Sequence, residues 1–203
     1  MPPITTDPTL LILTAVLAYL LGSVPFGIVI TRAMGLGDLR QVGSGNIGAT
    51  NVLRTGNKRA AFATLILDAA KGGVAVLIAR WMMAEDAGQI AGLAAFLGHL
   101  FPVWLKFRGG KGVATFLGIL LALSWQVGLA VCATWALSAA ITRTSSIAAL
   151  IAAATSAVWM IYFNDGHFLL LALILTVLIY VRHSDNLKRI NAGTEPRIGR
   201  KTG

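Results

Sequence analysis

The chain has 203 residues, of which 56% are hydrophobic and only 12% are charged. Water-soluble domains carry about twice that charged fraction, so the composition excludes a soluble globular protein. The formal net charge of +9 does not indicate a nucleic-acid-binding protein, because the basic residues lie in short segments between apolar runs, as membrane orientation requires. The composition predicts an integral membrane protein with all-α structure and no nucleic-acid partner.

Seven apolar segments follow one another along the chain, and each is predicted to form a helix. They cover approximately Thr9–Thr31, Ala60–Trp81, Gly88–Trp104, Val113–Leu123, Val127–Ile141, Ser146–Phe163 and Phe168–Val181. A membrane-spanning helix needs about 20 residues, and the fourth and fifth segments are shorter. We interpret Ser124-Trp125-Gln126 as a turn between two helices; one long helix, with five or six spans in total, is the alternative.

The positions of the basic residues predict how the bundle is oriented. If the loop between the first two segments is cytoplasmic, 15 of the 17 basic residues fall on that side, Arg200 and Lys201 of the C-terminal tail among them. The exceptions are Arg80, near an outer end, and Lys71, inside the second segment. The positive-inside rule then predicts about seven spans with an outer N-terminus and a cytoplasmic C-terminus. We expect one multi-pass domain over residues 1–203.

The loop between the first two segments is polar and rich in glycine. It reads Gly43-Ser44-Gly45-Asn46-Ile47-Gly48-Ala49-Thr50-Asn51-Val52-Leu53-Arg54. Glycine lets backbone N–H groups converge on an anion, and an arginine adds positive charge. Asn51 and Arg54 share one face if the segment turns helical. Ser44, Asn46 and Thr50 add neutral hydrogen-bonding groups, so the loop predicts a site for a phosphate and a polyol.

A second loop of the same character precedes the fourth segment. It reads Phe107-Arg108-Gly109-Gly110-Lys111-Gly112-Val113-Ala114-Thr115, shortly after Gly98-His99-Leu100-Phe101-Pro102. We predict that Gly109–Gly112 forms a backbone anion nest at a helix N-terminus, with Lys111 directed at the ligand. The spacing is not that of a Walker loop, which disfavours a nucleotide hydrolase. His99 is either a packing residue or a general base.

Two further polar groups have both a structural and a functional interpretation. In the tail, His183, Asn186 and either Arg189 or Ile190 align at helical spacing, which suits either a substrate site or a basic end that binds anionic lipid. Asp68 and Lys71 lie inside the second segment, on the order of 12–16 Å from its start at Ala60. Charges at that depth are costly, so the pair either locks the bundle or positions the site.

Other chemistries lack their motifs in this sequence. There is no Gly-x-Ser-x-Gly nucleophile elbow, no His followed five residues later by Asp, and no pair of Cys or His residues with zinc spacing. We therefore predict no metal site and no cofactor.

The motifs together resemble the bacterial PlsY family, over nearly the whole chain. The resemblance rests on Ser44–Asn51, Asp68–Gly72, Gly98–Pro102 with Gly109–Thr115, and His183–Asn186 with Gly193–Glu195. It implies an acyltransferase of the bacterial inner membrane whose active site faces the cytoplasm. Such an enzyme moves a fatty acyl group from acyl phosphate to the 1-hydroxyl of glycerol 3-phosphate, giving lysophosphatidate and inorganic phosphate in the first committed step of phospholipid synthesis.

The loops and the resemblance together give a set of expected site residues. The expected catalytic residues are Ser44, Asn46, Arg54, His99 and Lys111. The expected substrate-binding residues are Gly43, Gly45, Thr50, Asn51, Gly109, Gly110, Gly112, Thr115, His183, Asn186 and Glu195. Asp68 and Lys71 are expected to support the site, and membrane lipid is expected to surround it.

Acyl phosphate is already an activated acyl donor, so we expect direct transfer without an acyl-enzyme. The general base is left open between His99 and a phosphate oxygen of the substrate. A transporter or channel for a phosphorylated metabolite is the alternative from another class, and a silent scaffold that binds acidic lipid is a third. The clustering of polar groups on one face, away from the midplane, disfavours the transporter.

Overall fold

The computed structural model describes residues 3–198, and its regular structure there is helical throughout. The helices are α1 (Pro8–Gly22), α2 (Phe26–Ala33), α3 (Ala49–Leu53), α4 (Lys58–Met82), α5 (Glu85–Leu100), α6 (Val113–Leu123), α7 (Trp125–Thr142), α8 (Ser145–Tyr162), α9 (Leu169–Arg182) and α10 (Ser184–Asn191). Short 3-10 turns occur at Leu39–Gln41, Val103–Leu105 and Gly166–Phe168. Each of the seven predicted apolar segments is therefore helical.

Five of these segments are long and apolar enough to cross a membrane. They are Pro8–Ala33, Lys58–Met82, Glu85–Leu105, Trp125–Thr142 and Ser145–Tyr162. A sixth is formed by Gly166–Arg182 together with Ser184–Asn191, which are bent by 61°. The remaining apolar helix, α6, has 11 residues and is about 16 Å long. The protein is thus an all-helical bundle with five or six candidate spans.

The first apolar segment is divided, where we expected one continuous helix. Pro25 has no N–H to continue the helical pattern, and it separates α1 from α2. α1 lies directly against α5, and glycine permits this close approach. A side chain at Gly22 would collide with the backbone of α5 at Ala95, and one at Gly98 would collide with the backbone of α1 at Tyr19. Beyond the break, α2 packs against α4.

The predicted hairpin between α6 and α7 is present, but its turn is tighter than expected. Only Ser124 separates the two helices, and Trp125 is already helical. The C-terminus of α6 is capped by Arg80 of α4, whose Nη1 donates to the carbonyls of Ala122 and Leu123 at 2.7 and 3.0 Å. These carbonyls have no partner within their own helix, which accounts for a basic residue at this end of the bundle.

The long connections meet at the opposite end of the bundle. Arg40 in the first loop donates to the carbonyl of Arg108 in the second, at 2.5 Å. The tail returns to the turn between α7 and α8, where the Ile198 N–H donates to the Arg143 carbonyl at 2.7 Å. The fold therefore gathers at one end of the bundle the segments that carry the predicted motifs.

Candidate active site

Asn51 holds the first loop together. Its side chain is only 2% exposed, and its Nδ2 donates to the carbonyls of Leu39 and Val42 at 3.1 and 2.9 Å. Its Oδ1 accepts from the Ser44 N–H at 3.2 Å and from Arg54 Nη1 at 3.3 Å. Both polar atoms of this carboxamide are hydrogen-bonded within the loop. We therefore assign Asn51 to organising the loop, and not to the substrate contact expected from the sequence.

Two glycines permit the tight path of this loop. Gly43 has φ +52°, and a Cβ there would lie 2.6 Å from Arg54 Cδ. Gly45 has φ +67°, and a Cβ there would lie 2.9 Å from the Arg40 carbonyl oxygen. These positions suit glycine because left-handed backbone carries no penalty without a Cβ.

The folded loop leaves several polar groups open to a ligand. Ser44, Thr50 and Arg54 are exposed, and Asn46 is half-buried. The loop therefore presents hydroxyl, amide and guanidinium groups at the end of the bundle, and the organised backbone beneath them fixes their spacing.

The prediction of a backbone anion nest over Gly109–Gly112 is wrong for the first two residues. The Gly109 and Gly110 N–H groups donate to the carbonyls of Leu100 and His99 at 3.0 and 3.1 Å, so they are unavailable to an anion. Within the described residues, the N–H groups of Lys111 and Gly112 make no such bond. Gly112 has φ +84° and precedes α6, so only the second half of the loop adjoins a helix N-terminus.

The structure encloses His99 beneath the second loop. The imidazole is 4% exposed, and a Cβ on Gly110 would collide with its Nε2. On the other side, Nδ1 lies 3.7 Å from Asp68 Oδ1. This position disfavours the expected role of His99 as a general base, because the ring is covered by the loop.

The second loop meets the tail through Lys111. Its Nζ donates to Oδ1 of Asn186, a residue that is 5% exposed. Nδ2 of Asn186 donates to Glu195 Oε1 at 2.6 Å, and Glu195 Oε2 accepts from Arg189 Nε at 2.7 Å. This chain of contacts joins motifs that are 75 residues apart in sequence.

His183 lies beside this chain, at the junction of α9 and α10. It is 2% exposed, and its Nδ1 lies 2.8 Å from the Ile179 carbonyl oxygen. Because a carbonyl only accepts, Nδ1 carries the proton and Nε2 keeps its lone pair. His183 is therefore prepared to accept a hydrogen bond.

Three residues that the sequence did not single out contribute to the site. Arg182 Nε and Nη2 donate to the carbonyls of Gly110 and Gly109, both at 3.1 Å. Arg40 ties the first loop to the second, as described above. Ser146, in the first turn of α8, donates to Glu195 Oε1 at 2.7 Å. Their positions outside the motifs gave no sequence signal beyond a polar residue at the end of an apolar segment.

Positive charge dominates this end of the bundle. Burial lowers the pKa of Lys111 to about 8; Glu195 opposes the shift, while the nearby Arg189, Arg54 and Arg182 reinforce it. Burial raises the pKa of Glu195, but hydrogen bonds from Ser146, Asn186 and Arg189 outweigh it and keep the carboxylate ionised. Several cations thus share one carboxylate, so the site has an excess of positive charge that suits a phosphate group.

Side chains of the kinds that bind metals do not form a cluster in the part of the chain that the structure describes. In residues 3–198, no three His, Cys, Asp or Glu side chains are close enough together to hold a metal ion.

The geometry defines a class of protein: an integral membrane protein with a cationic, glycine-containing cluster of polar side chains at one end of a helical bundle. Within that class, the chain belongs to the glycerol-3-phosphate acyltransferase family, whose family model, described as "Glycerol-3-phosphate acyltransferase", matches residues 12–193.

Relatives and solved structures agree with this assignment. The chain is 64% identical over 201 residues to a glycerol-3-phosphate acyltransferase of Cereibacter sphaeroides, covering 99% of this chain and 96% of the relative. It is 57% identical over 202 residues to that of Ruegeria pomeroyi, with both chains fully covered.

The fold is that of PlsY (YgiH), described as an integral membrane glycerol 3-phosphate acyltransferase. The crystal structure of its glycerol 3-phosphate form matches with a TM-score of 0.87 and 39% identity, over 93% of this chain and 96% of that one. The lysphosphatidic acid form matches with a TM-score of 0.85 and 37% identity, over 93% and 95%. The resemblance to the PlsY family found in the motifs is thereby confirmed.

Proposed function

We propose that this glycerol-3-phosphate acyltransferase uses acyl phosphate as its donor. It transfers the fatty acyl group to the 1-hydroxyl of glycerol 3-phosphate and releases lysophosphatidate and inorganic phosphate. The observation that carries the proposal is the convergence of two cationic loops and the tail on one site. Two phosphate-bearing substrates need two sets of such groups, and the two loops that would supply them are joined by the contact between Arg40 and Arg108.

The topology proposed is an outer N-terminus, about seven spans with the short α6 as one of them, and a cytoplasmic C-terminus, in one domain over residues 1–203 in the bacterial inner membrane. The distribution of charge supports it. The end with the two loops carries most of the basic residues, whereas Glu85, Asp86 and Asp165 lie at the other end, as the positive-inside rule favours. Arg200 and Lys201, which were counted in the tail, lie outside the described residues.

In the proposed complex, each loop holds one phosphate. Ser44, Asn46 and Arg54 bind the phosphate of the acyl donor, because they are among the accessible polar groups of the first loop. Lys111 and Asn186 bind glycerol 3-phosphate, and Nε2 of His183 accepts a hydrogen bond from a glycerol hydroxyl. The site then contributes mainly by proximity and by stabilising charge in the transition state.

The proposed reaction is a direct transfer. The 1-hydroxyl oxygen attacks the acyl carbonyl carbon, and a new ester bond forms as the bond from that carbon to the phosphate oxygen breaks. Phosphate leaves with the electron pair and, in the end, with the hydroxyl proton. Since His99 is covered, we assign the proton to a phosphate oxygen of the substrate, and no protein base is required.

The test is turnover by the purified protein in lipid vesicles with acyl phosphate and glycerol 3-phosphate. We expect lysophosphatidate and phosphate in a one-to-one ratio, and no product when an acyl thioester replaces acyl phosphate. Turnover with the thioester alone would contradict the proposed donor. Saturable uptake of glycerol 3-phosphate into sealed vesicles without acylation would instead indicate the transporter.

A further inference from the structure

Three ionisable side chains are buried between the helices beneath the two loops. Lys71 Nζ and Asp68 Oδ1, both on α4, are 2.8 Å apart, and their side chains are only 1% and 3% exposed. His99 Nδ1 of α5 lies 3.7 Å from the same carboxylate oxygen. We call Asp68, Lys71 and His99 the buried cluster.

Through Lys71, the buried cluster reaches the support of the first loop. The ammonium donates to the Val24 carbonyl at 2.9 Å, in the break between α1 and α2. α2 starts immediately after this break and passes under the first loop so closely that a Cβ on Gly27 would collide with the Ile47 carbonyl oxygen. The Lys71 contact therefore holds the chain where α2 starts, and through α2 it supports the position of the first loop.

Through Asp68 and His99, the buried cluster also reaches the support of the second loop. The Asp68 carbonyl accepts from Thr115 Oγ1 of α6 at 2.9 Å. The His99 carbonyl accepts from the Gly110 N–H at 3.1 Å, and the His99 ring lies against Gly110, one residue before Lys111. Both hydrogen bonds are made by main-chain carbonyls, so the side chains of the buried cluster bear on the second loop through the His99 ring. Because that ring lies against the residue before Lys111, it supports the position of Lys111.

An ion pair at this depth is an expensive way to hold helices together. Charges inside a membrane segment cost free energy even when they are paired, and apolar side chains of similar volume often pack at least as well. A lock between helices therefore does not require an ion pair here. The ammonium of Lys71 contacts a carbonyl in a helix break and a neighbouring carboxylate at the same time, which an apolar side chain cannot do.

We propose that the buried cluster sets the spacing between the two loops, so that Asp68, Lys71 and His99 are positioning residues for acyl transfer. The proposal rests on the function proposed above, in which each loop holds one substrate. Each loop is built from its own local contacts, such as those of Asn51 in the first. Loss of the buried cluster then leaves the binding of each substrate nearly intact and misaligns the reacting atoms, which lowers kcat.

The test is the double variant Asp68→Asn/Lys71→Met, which removes both charges together and leaves no lone charge in the bundle. We expect kcat to fall about tenfold or more, while KM for each substrate changes by less than about threefold, because transfer is sensitive to displacements of about 1 Å. Wild-type protein is assayed in the same preparation. If the wild type does not turn over, the proposed function fails. If the wild type turns over and the variant has the same kcat, only the positioning role fails.

Ser124→Ala is the matched structural control. Its hydroxyl is 2.5 Å from Asp165 Oδ2 at the opposite end of the bundle, so its loss lowers the melting temperature without lowering kcat. A double variant that melts no lower than this control and keeps its kcat within about twofold of wild type would overturn the proposal. So would a rise in KM with unchanged kcat.

A milder variant covers the case in which the double variant does not fold. His99→Gln removes the ring that lies 3.7 Å from Asp68 Oδ1 and against Gly110, and it leaves the pair of Asp68 and Lys71 in place. We expect kcat to fall about threefold, again with KM preserved. An unchanged kcat in His99→Gln would count against the proposal in the same way.

Discussion

Replacement of Lys111 by methionine is expected to lower kcat/KM by about 10²–10³-fold, the loss typical of a group that stabilises developing charge in a transition state. Methionine keeps most of the apolar volume of the side chain, so the variant tests the ammonium group. That group joins the second loop to Asn186, and in the proposed complex it binds the phosphate of glycerol 3-phosphate. The measurement is steady-state kinetics with both substrates varied.

Lys188→Ala is the control for this variant. Lys188 lies on α10 close to Asn186, but its side chain is 79% exposed and pairs with Asp185, at 3.5 Å. Its loss removes a positive charge near the site and leaves the Lys111 contacts in place, so kcat/KM stays within about twofold of wild type, as for most exposed ion pairs. Equal losses in the two variants would mean that only the overall charge of this end matters.

The same lysine predicts how activity depends on pH. With a pKa lowered to about 8 by burial, Lys111 is charged below that pH and becomes neutral above it. kcat/KM should therefore be level below about pH 8 and fall as the pH rises further. In Lys111→Arg, whatever activity is retained should not show this fall, because a guanidinium stays charged throughout. A fall at the same pH in the arginine variant would assign the titration to another group.

Arg54→Ala is the second substitution with a large expected effect. Arg54 is an exposed cation of the first loop, and its guanidinium Nη1 donates to Asn51 Oδ1 at 3.3 Å. Loss of a guanidinium that binds phosphate should lower kcat/KM by about 10²-fold or more, and the larger loss should be in kcat/KM for acyl phosphate. Arg54→Lys should recover only part of it, since an ammonium does not reproduce the planar fork.

Arg59→Ala provides the comparison for Arg54. It is also exposed and lies five residues further on, in the first turn of α4, but it has no place in the proposed complex. We expect it to keep wild-type kinetics. An Arg54→Ala variant whose kcat/KM lies within about threefold of wild type would remove the first loop from the donor site.

The helices could be predicted because apolar runs of this length have few alternatives. The bounds of α6, Val113–Leu123, are those expected from hydrophobicity alone. The break at Pro25 was not predicted because apolar residues continue on both sides of it, and a proline near one end of a long run does not always end a helix. The single-residue turn at Ser124 was likewise predicted only as a wider turn.

The candidate site was predicted less completely, for a physical reason. Glycine-rich segments show where N–H groups could converge, but the carbonyls of His99 and Leu100 occupy two of those groups, and only the packed structure shows this. The contact between Lys111 and Asn186 joins distant segments, for which sequence has no spacing rule. Arg182 gave no signal at all, because it binds backbone carbonyls, which every residue has.

In the proposed mechanism both substrates occupy one site, and the acyl group passes directly between them. The most direct test is to incubate the protein with acyl phosphate in the absence of glycerol 3-phosphate, and to measure released phosphate and the mass of the intact protein. Direct transfer predicts no burst of phosphate before glycerol 3-phosphate is added, and an unchanged protein mass both before and after. One equivalent of phosphate per protein, with an acyl group attached to Ser44, would contradict it.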